Sequence, residues 1–288
     1  MGTLLQSTLK QMISRKIIIQ KNDKALEHKI IILWRTEMSK ISKQFLIVTF
    51  AIMAICWGTC VICSFNGLSL KQDYYLYLPY MIGGFSPTIA SFVVLKKNGL
   101  VRSFKEWLNN VFDIKHGIAS YLLVVVLSVI YVLPQCIVAG YEKGAPLYAI
   151  IVMIPVMLLG GGLEEAGWRY ILQPELEKRC PYFVATLIVS VIWWLWHLPL
   201  FYISGVGQEG KSYIAFGFGV LGMAFALACV RKCTDSVWLC VLLHCIVNAS
   251  GGVYEINDSV LGNAVMAGIM IVITLFIVYL NDKKKFFR

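Results

Sequence analysis

Apolar and polar residues alternate along this chain in long blocks, giving eight extended apolar stretches separated by shorter polar segments. The stretches occupy 45–65, 76–95, 119–139, 147–163, 182–201, 212–229, 236–250 and 260–280. A helix needs about 20 mostly apolar residues to cross ~30 Å of hydrocarbon. The fourth and seventh stretches fall short of that length unless the helix continues through neighbouring polar residues. The pattern predicts an all-α fold, a polytopic integral membrane bundle of about eight transmembrane helices.

Composition agrees with the pattern. Hydrophobic residues make up 58% of the 288 positions and charged residues 15%, with a mean hydropathy of +0.72. A soluble domain carries about 25% charged residues and at most about half apolar ones, and disordered chains carry more charge still. Both classes are excluded. The formal net charge of +10 would by itself suit nucleic acid or an acidic ligand. Placing the charges between the spans removes that reading: 23 of the 26 Lys and Arg fall on one side, leaving Lys71, Lys143 and Lys211 on the other. That split follows the positive-inside rule, so both termini are expected in the cytoplasm and no nucleic-acid partner is expected.

The expected organisation is a basic cytoplasmic segment over 1–44, a membrane domain over 45–280 and a basic cytoplasmic tail over 281–288. Residues 1–44 carry net +6 with interspersed isoleucines. They read as a solvated topology determinant, or as an amphipathic segment lying on anionic lipid. The nine cysteines form no secreted disulfide framework and are expected to pack as small apolar groups. Gly217, Gly219 and Gly222 match a dinucleotide-binding spacing, but no strand precedes them. Close helix packing through small residues explains them better.

Ionisable groups inside spans cost about 2.5–3.5 kcal/mol each on insertion scales and mark function by default. Three clusters qualify: Glu164, Glu165 and Arg169 after three glycines; His197 after Trp193, Trp194 and Trp196; and His244 with Asn248. At about 100° per residue, Glu165 and Arg169 share a helix face and can pair. Glu164 projects elsewhere, without a counter-charge, in surroundings that suit a general base. Asn248 lies one turn from His244 and can orient the imidazole or donate to an oxyanion. Counted from the expected cytoplasmic ends at ~1.5 Å per residue, Glu164, His197 and His244 lie about 21, 22 and 18 Å deep. Three helices thus bring chemistry to one depth.

Taken in order, Glu164-Glu165-x-x-x-Arg169, His197 and His244-x-x-x-Asn248 resemble the three motifs of the CPBP/Abi family. That family comprises intramembrane proteases related to type II CAAX prenyl endopeptidases, together with bacteriocin-processing and immunity relatives. The resemblance covers about 147–250. The family's usual Phe-x-x-x-His is here Trp193-x-x-x-His197, which keeps an aromatic ring, and Trp196–Phe201 looks typical of bacterial members.

The resemblance implies an intramembrane endopeptidase in which Glu164 activates water with help from His197. His244 and Asn248 would stabilise the oxyanion or position the water. Glu165, Arg169 and Trp193 would support the site. No cofactor is certain; Glu164, His197 and His244 are also the donor types of a Zn²⁺ site with an open position. The expected substrate is a membrane-embedded or lipid-anchored peptide reaching the site from the cytoplasmic side, and the expected location is a bacterial cell membrane. Two other classes use the same residues: a non-enzymatic bacteriocin self-immunity or scaffold protein, and a proton-coupled transporter. No internal repeat supports the transporter.

Overall fold

The computed structural model describes residues 38–287; the expected N-terminal segment lies, over 1–37, outside the described residues. Helix α1 (Lys40–Phe65) starts on Ser39, whose hydroxyl accepts the Ser42 N–H and satisfies one of the open donors of the first turn. It runs five residues further towards the N-terminus than the apolar pattern marked. A bent pair follows, α2 (Tyr77–Gly84) and α3 (Ser86–Lys97). The short surface helix α4 (Phe104–Val111) is capped by Ser103. Next come α5 (Ile118–Ala139) and strand β1 (Tyr141–Lys143).

The fourth apolar stretch is broken into two helical pieces. Helix α6 (Ala149–Leu159) ends at Gly160, and the chain restarts as α7 (Gly162–Glu177), with a bend of 49° between them. Gly161 makes the break: its φ is +128°, a backbone conformation that L side chains rarely adopt. Within α7, residues Trp168–Leu172 form a π-helical turn. Such insertions concentrate at functional sites. Then follow α8 (Tyr182–Trp196), α9 (Tyr213–Thr234), α10 (Val237–Ser250), β2 (Tyr254–Ile256) and α11 (Val260–Lys284). Helix α11 takes in the first residues of the expected basic tail.

Each of the eight apolar stretches therefore corresponds to helix. Five helices, counting α8 with its continuation to Tyr202, are long and apolar enough to cross a membrane singly, or up to seven spans if each bent pair is one span. The seventh stretch does not lengthen as a full crossing would require. Ser236 caps the start of α10 and the turn at Gly251 ends it, leaving 14 residues, about 21 Å.

Helix α9 is the central column, with Ala224 through Val230 fully buried. Its glycines work by close approach. A Cβ on Gly222 would lie 2.5 Å from the Met266 sulfur of α11, and one on Gly217 would lie 2.7 Å from Trp194. Outer helices turn Ile47, Ile55 and Ile62 of α1 and Val272 and Phe276 of α11 outwards, as lipid-facing surfaces require. All nine cysteines are free. The protein is an integral, multi-pass helical membrane protein.

Successive crossings gather the connections at two ends. At one end, the Leu70 N–H donates to Ser204 O at 3.0 Å and the Ser212 N–H to Asp258 at 2.6 Å. There too, β1 pairs antiparallel with β2, with Glu142 opposite Glu255. At the opposite end, the Asn98 amide donates to Gln44, Asn110 to the Tyr170 hydroxyl, and Lys232 to Glu177.

Candidate active site

Glu164 closes the first turn after the glycine break, so the bend itself aims its carboxylate into the bundle. The break is tied down on both sides. The Thr88 hydroxyl of α3 donates to Leu163 O at 2.8 Å, and the Asn248 amide of α10 donates to Gly160 O at 3.0 Å. Glu164, His197 and His244 are all buried. Together with Asn248 and Trp193 they line one cavity of about 400 Å³. The structure thus brings residues from each of the three clusters to one cavity.

Trp193 is the hub. Its indole N–H donates to Glu164 Oε2 at 2.9 Å. Its ring centre lies 5.6 Å from that of His197 and 5.5 Å from that of His244. The Arg169 guanidinium sits 5.2 Å from its ring centre, a cation–π contact. Sequence reasoning credited this position with ring shape alone. The N–H that reaches Glu164 is something a phenylalanine could not supply.

Each histidine is oriented through Nδ1. His197 Nδ1 lies 2.8 Å from Trp193 O; a carbonyl only accepts, so Nδ1 carries the proton and Nε2 presents a lone pair. His244 Nδ1 lies 2.8 Å from Glu165 Oε1. Glu165 also faces Arg169, with Oε2 3.6 Å from Nε and both side chains fully buried. Glu165 is thus more than a partner for Arg169: it orients His244, a role the sequence reading gave to Asn248.

Asn248 instead reaches across to the glycine break, and there the missing side chain matters. A Cβ on Gly161 would lie 2.8 Å from Asn248 Nδ2 and 3.0 Å from His244 Nε2. Two polar nitrogens therefore bracket one small space that only glycine leaves open. Gly161→Ala is expected to fill that space and to strain the backbone by about 1–3 kcal/mol. A lowered melting temperature in detergent, with a still larger loss of activity, would show both effects; wild-type values for both would refute this account of Gly161.

A three-ligand zinc site needs its donors around one point. Among the described residues no group of three or more His, Cys, Asp or Glu side chains could hold a metal ion.

The cavity also takes in Tyr131, Gln135 and Asn263, from α5 and α11. None of the three is charged at neutral pH, so the cost of charge in lipid does not mark them in the sequence. Uncharged polar residues at membrane depth were the available signal, since these too seek partners or water in lipid.

Residues 146–250 match the family described as Rce1-like, type II CAAX prenyl endopeptidase. The chain is also 22% identical over 266 residues to the CAAX prenyl protease 2 of Methanococcus maripaludis, which covers 85% of this chain and 96% of that relative. All the gathered side chains, from Glu164 to Asn248, lie inside the matched segment. Between residues 146 and 250 this chain matches the Rce1-like pattern of the CAAX prenyl endopeptidases, and that match supports an intramembrane endopeptidase in general.

Proposed function

We propose that the protein hydrolyses a peptide bond of a membrane-embedded or lipid-anchored peptide, using a water activated by Glu164 and His197. The observation that carries this reading is the Trp193 hub. One indole holds the Glu164 carboxylate through its N–H while packing on both histidines.

Glu164 takes a proton from the water, oriented by the His197 Nε2 lone pair. The water oxygen bonds to the scissile carbonyl carbon, and the C=O π pair moves onto oxygen. Asn248 Nδ2 and a protonated His244 Nε2 donate to that oxyanion from beside Gly161. Glu165, in contact with Arg169, offsets the positive charge on His244. As the tetrahedral adduct collapses, the C–N bond breaks and Glu164 returns its proton to the leaving amine. Preorganised donors of this kind contribute about 2.7–4 kcal/mol of transition-state stabilisation each.

Mass spectrometry of membrane-protein termini, comparing wild-type cells with cells carrying Glu164→Ala, identifies the substrate class. The expected result is a set of truncated termini present only with the wild-type protein. Identical termini in both, with the cellular phenotype retained by Glu164→Ala, would leave a scaffold or immunity role instead. Repeating cleavage with the purified protein and a chelator tests the metal-free reading, which predicts unchanged activity.

A further inference from the structure

We infer that Tyr131, Gln135 and Asn263 form a backbone-binding subsite beside the catalytic residues, holding the substrate extended by accepting hydrogen bonds from its peptide N–H groups. This rests on the peptidase reading of the same chamber.

What the three groups can offer is fixed by what they already hold. The Tyr131 hydroxyl of α5 spends its one proton on Gly219 O of α9, at 3.0 Å. The Gln135 amide donates to Tyr131 O at 2.9 Å, and the Asn263 amide of α11 to Ser259 O at 3.0 Å. A carbonyl only accepts, so each side-chain nitrogen faces it and each side-chain oxygen is turned away. Among the described residues neither Gln135 Oε1 nor Asn263 Oδ1 receives a hydrogen bond. Neither is among the sealed polar atoms that lack a partner, so both open onto the chamber their residues line. With the lone pairs of the Tyr131 hydroxyl, the wall presents three acceptors and no spent donor among them.

Gly219 leaves the room for a second chain. Its neighbours Gly217 and Gly222 serve helix packing, against Trp194 and Met266. A Cβ on Gly219 would instead meet Asn263 Oδ1 at 3.1 Å and the Tyr131 hydroxyl at 3.4 Å. Two polar oxygens thus bracket one small space, as close approach of a ligand to the backbone requires. That space lies next to the chemistry. Phe216 packs on His197 with ring centres 4.9 Å apart, and Gly219 follows on the same face of α9, about 4.5 Å further along. Phe216, Gly219 and Val220 all line the chamber.

Hydrolysis itself calls for such a wall. A peptide carbonyl is open to attack where the chain is extended, because a helix ties each carbonyl to the N–H four residues on. Extension away from water frees N–H groups that are costly to leave unpaired. Acceptors on the wall remove that cost, as they do when an extended peptide is held along a sheet edge. Three uncharged oxygens suit a neutral N–H rather than an ammonium group. Spacing agrees as well. Tyr131 and Gln135 are about 6 Å apart along α5, and the N–H groups on one side of an extended chain recur about every 6.6 Å.

Amide-to-ester exchange in the substrate tests the subsite. The probe is a synthetic lipid-anchored peptide copied from a terminus that only wild-type cells truncate. Each amide flanking the scissile bond is replaced in turn by an ester, which removes one N–H and keeps the shape. With the full-length wild-type protein, one or two esters are expected to raise KM by about 3–10-fold, the worth of a neutral hydrogen bond. The effect on kcat should be smaller, as for binding shared by ground and transition states. In Asn263→Ala the all-amide probe should show the same rise, and the sensitive ester should cost nothing further. Gln135→Met, which keeps the length of the side chain, should behave alike at its own ester. Should Asn263→Ala fail to accumulate, Gly219→Ala keeps all three acceptors but fills the space, and it too should raise KM and abolish ester sensitivity. A merely structural role would shift KM equally for amide and ester probes. Esters without effect on the wild type, an ester penalty unchanged in the variants, or sensitivity that follows the side chains of the probe would overturn the subsite and leave the peptidase reading standing. A search that finds no truncated terminus would remove the peptidase reading, and the subsite with it.

Discussion

Replacing Glu164 by glutamine is expected to lower the cleavage rate by about 10²–10⁴-fold, the usual contribution of a positioned acid–base group, while the protein still inserts and folds. Glutamine keeps an oxygen that can accept the Trp193 indole N–H, now 2.9 Å from Glu164 Oε2, so the packing of the hub is preserved. What disappears is the group that takes a proton from water and returns it to the amine. The measurement is turnover of a membrane-anchored peptide by purified protein, beside a melting curve and a helix content. Glu164→Gln with normal turnover would remove Glu164 from the chemistry. His197→Ala should also fall steeply, because Glu164 would then activate a water that nothing orients.

Truncating Arg169 to alanine is expected to destabilise the protein by about 3–5 kcal/mol, the range for breaking one side of a buried ion pair. The reason lies in what remains. Glu165 and Arg169 are both fully buried, and Arg169 Nε and Nη1 have no hydrogen-bond acceptor among the described residues. The guanidinium is held by its ion pair, by the Trp193 ring and by a bond from Nη2 to Ala224 O at 3.5 Å. Without it, the Glu165 carboxylate is left in an apolar interior with His244 as its one hydrogen-bond partner among the described residues. A matched double substitution, Glu165→Gln with Arg169→Met, removes both charges and is expected to recover much of the stability. It should not recover turnover, since His244 would have lost its anionic partner. Thermal unfolding in detergent separates the stability effect from the activity effect. Wild-type stability in Arg169→Ala would show that the pair is dispensable.

Much of the architecture was legible before any coordinates, because crossing a membrane is a property of each segment separately. Transfer free energies add along a stretch such as 45–65 or 260–280 whatever its neighbours are, and helices occur at every one of the eight stretches. Element ends were less legible. The start of α1 at Lys40 depends on the Ser39 cap, and the short α10 on Ser236 and Gly251, details to which hydropathy is blind. Glu164, Glu165, Arg169, His197, His244 and Asn248 stood out because lipid makes such residues expensive to keep without a purpose.

The sequence alone therefore determined the class of protein, the position of its helices, the asymmetry of its charges and the residue types of its site. Tertiary structure alone decided how those residues meet. The Trp193 N–H on Glu164, the Glu165 carboxylate on His244 and the space beside Gly161 all depend on a 49° break and on the rotation of each helix about its axis. Helices in lipid are paired by shape and by a few polar bonds, with no hydrophobic force between them. An apolar pattern along one helix therefore carries little information about which face meets which neighbour.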